Sequence, residues 1–259
     1  MKKNAGIETD NGPDSVKTNR PVVPHHLADL AAVENRIVAC TLCPRLVAHR
    51  ERVAREKKRA FHDQAYWGRP VPGFGDPRAR LLVVGLAPAA HGGNRTGRVF
   101  TGDSSGDWLY EALHRHGFAD RPVSIARDDG LRLTDCWVSA AARCAPPDNK
   151  PTSTELASCR PYLEAEIGLL STVRVVVALG RVAHDSWLQA AGWWLRIPAS
   201  GRPRFAHAAE SVLPDGVTFI SSYHPSRQNT NTGRLTRTMW HGIFARAREI
   251  LGHGPRAGV

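Results

Sequence analysis

Four short apolar runs alternating with helix-compatible stretches predict an α/β fold, a three-layer α/β/α sandwich around a central, mostly parallel four-stranded sheet. The first observation behind this is the pair of runs at 81–85 (LLVVG) and 173–179 (VRVVVAL). Each is closed by a glycine, Gly85 or Gly180, and has the near-continuous apolar character of a strand buried on both faces. A second observation is that residues 137–142 and 217–222 supply two more strand-like runs. Between and after them, residues 105–116, 153–170, 182–190 and 234–251 read as helices, so the two kinds of element alternate as in βαβ units.

Taken in order, residues 1–24 mix Lys, Asn, Asp, Gly and Pro without periodicity and read as a mobile tail, which leaves 25–259 as a single domain. From Leu27 to Lys58 the apolar residues Leu30, Val33, Ile37, Val47 and Val53 recur near helical spacing. That spacing breaks around Cys40 to Pro44, predicting two helices joined at a C-x2-C pair. The basic stretch 50–59 suits a solvated face and a phosphate-facing one equally. Residues 66–77, with Pro70, Pro72, Gly73, Gly75 and Pro77, read as an irregular, extended connection into the first strand.

At 259 residues and 42% hydrophobic content the chain is long enough to bury one full core. No stretch approaches the roughly 18 apolar residues that a membrane helix needs, and the amino terminus lacks the apolar centre of a signal peptide. A soluble cytoplasmic protein without membrane contact is expected. Five cysteines are an odd number and few for this length, so reduced thiols that hold metal are favoured over a disulfide framework. The excess of 35 Lys and Arg over 24 Asp and Glu, a formal charge of +11, points to a polyanionic partner without identifying it.

Cys40, Cys43, Cys144 and Cys159 form a candidate four-thiolate shell, the ligand set of either a cubane iron-sulfur cluster or a structural zinc. Cys136, inside an apolar run, reads as a packing residue. Ligands of open α/β sheets sit beyond the carboxyl ends of the strands, and three segments qualify there. Residues 85–103 (GLAPAAHGGNRTGRVFTGD) contain five glycines together with His91, Asn94, Arg95, Arg98 and Asp103, more polar function than a connector requires. Residues 143–149 (RCAPPDN) put Cys144 five positions before Asn149. Residues 222–236 (SYHPSRQNTNTGRLT) gather polar side chains and backbone amides ahead of a helix, a setting suited to phosphates.

These three segments, together with the cysteine spacing, resemble the iron-sulfur uracil-DNA glycosylases, most closely the family 5, or B-type, branch, over about residues 34–250. The resemblance implies a uracil-DNA glycosylase-like fold, one [4Fe-4S] cluster on Cys40, Cys43, Cys144 and Cys159, and DNA carrying uracil or other deaminated bases such as hypoxanthine as substrate. It gives Asp103 the task of positioning or activating water, His224 a hydrogen bond to O2 of the leaving pyrimidine, and Asn149 a contact to the base or that water. Phe100 would stack on the extruded ring, and Gly85, Ala87, His91 and Asn94 would line its pocket. Arg227, Gln228, Asn229 and Asn231 would enter the groove or grip flanking phosphates.

Leu86 departs from the related iron-sulfur branch, which has an acidic residue after the first glycine of this motif, and Asp103 is the nearest replacement. The loop also lacks the basic, His-containing insertion of the relative that crosslinks itself to DNA, so turnover is expected. The resemblance further implies a monomer working at the nucleoid. Structural zinc is the alternative metal. A non-catalytic module for damaged or single-stranded DNA and a zinc-stabilised nucleotide hydrolase are the alternative functions.

Overall fold

Apolar runs that sequence alone marks as strands become a single mixed sheet in the structure, a computed structural model that describes residues 29–252. The tail expected at 1–24 lies outside the described residues. The strands are β1 (Phe74–Gly75), β2 (Leu81–Gly85), β3 (Cys136–Ala140), β4 (Val175–Leu179), β5 (Glu210–Val212) and β6 (Thr218–Ser222), in the spatial order β1-β3-β2-β4-β6-β5. The inner four are parallel, with Val83 opposite both Val138 and Val177, and Val177 opposite Ile220. Every residue of these four strands is buried.

The expected four-stranded parallel sheet is therefore present, and two short antiparallel strands extend it at the edges. β1 falls inside the stretch read as irregular. It pairs with β3 through Gly75, whose φ of +147° and approach to Cys136 O leave no room for a side chain, since a Cβ there would stand 2.2 Å from that oxygen.

The helices are α1 (Leu30–Val38), α2 (Pro44–Glu56), α3 (Gly93–Thr96), α4 (Ser104–Arg115), α5 (Ser153–Leu169), α6 (Arg181–Ala190), α7 (Trp193–Arg196), α8 (Arg227–Asn231) and α9 (Arg237–Gly252). Their starts follow from local chemistry. Asp29 caps α1, Pro44 opens α2 where its missing N–H costs nothing, and Thr152 with Glu155 closes a reciprocal capping box on α5.

Side chains alternate across the sheet and generate two cores. Leu81, Val83, Val138, Val177 and Ile220 face a cluster completed by Leu109, Leu113, Trp240 and Phe244 from α4 and α9. On the opposite face Leu82, Val84, Val176 and Phe219 meet Leu163, Ala183, Trp187 and Leu188 from α5 and α6. These are the three predicted layers. A smaller cluster of Val33, Ile37, Tyr162 and Ala165 seats α1 on α5. At about 1.5–3 kcal/mol for each large apolar side chain fully buried, this double-sided core dominates the fold's stability.

One buried ion pair fixes the loop after β3. Arg143 and Glu166, each with only 1% of its side chain accessible, bond through Nη2 and Oε2 at 2.7 Å and through Nη1 and Oε1 at 3.1 Å, and Ser139 Oγ donates to the same carboxylate. Among the described residues no helix is long and apolar enough to cross a membrane.

Candidate active site

Because β2, β3, β4 and β6 run parallel, their carboxyl ends emerge on one edge, and backbone bonds hold the emerging loops together. Ala141 N donates to Gly85 O and Ala142 N to Leu86 O, both at 2.9 Å, so the loops after β2 and β3 start side by side. Gly180 N donates to Ser222 O at 2.8 Å, tying the end of β4 to that of β6.

The loop after β2 folds on itself rather than wandering. Thr96 Oγ1 reaches the carbonyls of Gly92 and Thr101 at 3.2 Å, and Arg95 spans the loop by donating to His91 O at 2.8 Å and Gly102 O at 3.0 Å. Arg98, almost wholly buried, is neutralised by Asp129 at 2.7 Å and also donates to Ser124 Oγ and Arg127 O. This frame forces Phe100 into the left-handed region at φ +51°, a conformation that costs a non-glycine residue about 1–2 kcal/mol. Its ring lies against Gly85, where a Cβ would come within 2.5 Å, and its carbonyl lies against Gly106, where a Cβ would come within 1.9 Å. Strain held by two glycines at the mouth of a strand marks a position fixed for use.

The ring of Phe100 stacks on that of His224, with centroids 5.8 Å apart and planes 28° apart. His224 follows β6 and packs its Cβ against Gly180. Burial lowers its pKa from the usual histidine value, while the Asp103 carboxylate pulls it back up by the smaller amount, so the imidazole is neutral at neutral pH. Asp103 is also the N-cap of α4. Its Oδ1 accepts from Ser105 N at 2.9 Å and Gly106 N at 3.0 Å, while Oδ2 lies against Gly92, where a Cβ would stand 2.2 Å away. With one oxygen engaged by the helix, the carboxylate has a fixed orientation. Burial, and after it the Asp103 charge, raises the pKa of neighbouring Asp107.

The structure thus unites Gly85, Phe100, Asp103 and His224, with the half-buried Ala87 on the same loop. Asn149 stands on the adjacent loop, exposed and at φ +55°, and among the described residues no hydrogen bond links it to Asp103 or His224. Two residues expected to line the pocket face elsewhere. Asn94 is 1% exposed and donates through Nδ2 to Arg50 O at 3.1 Å, fastening the loop to α2. His91 turns outward to Tyr66, with Nδ1 3.0 Å from its hydroxyl, and burial together with the charges of Lys58 and Arg95 lowers its pKa.

In the third segment Arg227, Gln228 and Asn231 are exposed on α8, and Arg227 Nε reaches Ser104 Oγ at 3.4 Å. Asn229 is not available to a groove, because its Nδ2 donates to His224 O at 2.8 Å and anchors the imidazole-bearing residue. The sequence offered no sign of this, since a local amide-to-carbonyl bond looks the same in sequence as a solvent-facing amide. Arg234, stacked over Tyr223 at 4.6 Å, is a further member of the segment that the motif reading passed over.

The four expected thiols lie within electrostatic reach of one another. Cys40 ends the α1 turn, Cys43 caps α2, Cys144 lies in the loop after β3 and Cys159 is on α5. All are free, and they act electrostatically on one another: Cys40 on Cys43, Cys144 and Cys159, and Cys43 on Cys159. Burial raises the Cys43, Cys144 and Cys159 thiols, Cys144 to about 12, while the Arg50 guanidinium, 3.0 Å from Cys144 Sγ, favours its thiolate. Among the described residues no three His, Cys, Asp or Glu groups are gathered as for a single bound metal ion. Cys136 is wholly buried in β3, a packing residue as expected.

Comparison with known proteins shows the family. The profile of the Uracil DNA glycosylase superfamily matches residues 72–247. A Type-5 uracil-DNA glycosylase of Thermus thermophilus is 52% identical over 224 residues, covering 86% of this chain and 99% of the relative. That of Mycobacterium bovis is 53% identical over 219 residues, covering 83% and 80%, and that of Pyrobaculum aerophilum is 46% identical over 218 residues, covering 84% and 92%. With a strained aromatic, a helix-capping carboxylate and a half-buried imidazole brought together at the strand ends the superfamily profile spans, the chain belongs to the type-5 branch of the uracil-DNA glycosylase superfamily.

Proposed function

We propose that the chain removes uracil from DNA by hydrolysing the N-glycosidic bond and leaving an abasic site, and that hypoxanthine and related deaminated bases are accepted as well. The observation that carries this reading is the Phe100, His224 and Asp103 group: an aromatic face, a neutral imidazole and an oriented carboxylate at the meeting point of two strand ends. A base inside the duplex cannot reach such a group, so the nucleotide is extruded first. Phe100 then offers its ring to the flipped base.

Cleavage breaks the bond from deoxyribose C1′ to the base nitrogen, the electron pair leaving with the base, and water adds to C1′. His224 hydrogen-bonds the departing base at O2, where negative charge collects, and Asp103 directs the water and receives its proton. Asn149 contacts the base or the water from the neighbouring loop. Stabilising separated charge in this way matches the oxocarbenium character of such a reaction and needs no covalent intermediate. A pocket that reads bases with the Asn149 amide, backbone and one histidine, without a carboxylate at Leu86, supports a range wider than uracil.

For the thiols, one [4Fe-4S] cluster held by Cys40, Cys43, Cys144 and Cys159 is favoured over zinc. The four thiols lie within electrostatic reach of one another, and their spacing along the chain resembles that of the iron-sulfur uracil-DNA glycosylases, which supports the cluster over a single zinc. Hydrolysis moves no electrons, so the cluster's contribution is architectural, joining α1 and α2 to the loop that carries Asn149. The protein works as a monomer on DNA in the cytoplasm, at the nucleoid.

The test is a panel of oligonucleotides carrying uracil, hypoxanthine, xanthine or mismatched thymine, treated with alkali after incubation. Strand scission at uracil is expected, with hypoxanthine next. Binding without scission on every member would overturn the enzymatic reading in favour of a damage-binding module.

A further inference from the structure

His224 owes its place to the backbone on either side of it, and that backbone is held by a histidine outside the three motif segments. Residues 205–208 lie alongside the end of β6, with Ala208 N donating to Ser221 O at 2.8 Å. This sets the His207 ring beside Tyr223, centroids 5.3 Å apart. Tyr223 N donates to His207 Nδ1 at 3.4 Å, and Ser222 Oγ is 3.3 Å from the same nitrogen. An N–H can only donate, so Nδ1 carries no proton and the ring is the Nε2–H tautomer.

We propose that His207 is a positioning residue for excision, a neutral imidazole that ties the segment 223–236 where it leaves β6 and thereby fixes the His224 ring against Phe100. This rests on the reading that His224 meets the leaving base. Nδ1 holds the segment at Tyr223, one residue before His224, while Asn229 braces His224 from inside. Protonation at Nδ1 would replace an acceptor with a donor facing the Tyr223 N–H. Burial lowers the His207 pKa, so the clamp is intact at neutral pH and releases as pH falls through that lowered value. The groups facing the ring are the Ser222 hydroxyl, the Tyr223 ring with Arg234 on it, and the Met239 backbone; no carboxylate acts on it among the described residues.

The experiment compares His207→Ala and His207→Asn with the intact protein in single-turnover excision of uracil across pH, alongside DNA binding and amide exchange at Tyr223. Asparagine can accept at the Nδ1 position but cannot titrate. Expected for alanine is a loss of about 10²-fold in rate, the scale of a small displacement of a reacting group, with binding nearly unchanged and faster exchange at Tyr223. Asparagine should restore most of the rate and flatten the acid limb by one proton. Wild-type rate and exchange in the alanine variant, or an asparagine variant no better than alanine, would overturn the proposal. An intact protein inactive on uracil would instead defeat the functional reading, and Tyr223 exchange would still decide whether His207 clamps the segment.

Discussion

Asp103 performs two tasks that ordinary mutagenesis would confound, and the structure shows how to separate them. Its Oδ1 closes the first turn of α4 by accepting from Ser105 N and Gly106 N, and the carboxylate as a whole supplies the charge that faces His224. Replacing it with alanine removes both. Loss of an Asp N-cap costs about 1 kcal/mol, which lowers the melting temperature by about 2–4 °C in a domain of this size. Asparagine caps nearly as well through its own Oδ1, and its neutrality relieves the repulsion felt by Asp107, so Asp103→Asn should melt within a degree or two of the parent. The expected catalytic loss does not separate the two variants, since each removes the proposed proton acceptor, worth about 10² to 10⁴ in rate. Differential scanning calorimetry and single-turnover excision, run on both variants, resolve the tasks. Asparagine at wild-type rate would remove Asp103 from the chemistry, and alanine with an unchanged melting temperature would refute the cap.

Three further perturbations follow from geometry. Gly92→Ala places a Cβ 2.2 Å from Asp103 Oδ2, and because the other oxygen is held by the helix the carboxylate must turn away, so excision should fall by about 10²-fold while DNA binding persists. Kinetics at the level of the parent would mean that the orientation of Oδ2 is immaterial. Glu166→Ala strands the buried Arg143 guanidinium, a loss of about 3–5 kcal/mol that should depress the melting temperature by on the order of 10 °C, and a shift under two degrees would argue against that pair. Cys144→Ser should abolish visible absorption, halve or worse the soluble yield and lower the melting point, whereas a soluble, colourless and fully active variant would contradict an architectural cluster.

The inner sheet was readable because burial on both faces leaves no polar residue to interrupt the run, as in Val175–Leu179. Edge strands escaped because they are short and half-open: β5 is three residues with only its middle one partly covered, too little for any period to register. The four- and five-residue helices α3 and α8 escaped for another reason, since neither is long enough to be stable alone and each forms inside a loop already closed by distant bonds. At the site, Gly85, Phe100, Asp103 and His224 were recoverable from motifs. The amides were not. Asn94 satisfies a carbonyl 44 positions away and Asn229 one five positions away, and nothing in an asparagine's neighbours says which carbonyl it will find. His207 was invisible for the same cause: its role depends on where 205–208 comes to lie beside β6.

The count of 35 Lys and Arg overstates the footprint on DNA, because several of the arginines are engaged inside the protein. Arg98 and Arg143 are buried against Asp129 and Glu166, Arg50 is buried against the Cys144 thiol, and Arg45, Arg80 and Arg246 pair with Glu155, Asp135 and Glu210. These charges fold the loops and cannot also neutralise phosphates. What remains near the strand ends is a smaller set, Arg227 and Arg234 beside His224 and Lys150 beside Asn149. Each phosphate neutralised on duplex DNA adds about 0.9 to the slope of log affinity against log salt. Binding to a uracil duplex should therefore show a slope of about 3, far below what the count of basic residues would give, and Arg227→Ala should lower it by about one. A slope near ten would mean that the paired arginines open on binding, and the internal ion pairs would then have to be read as a closed state rather than as fixed architecture.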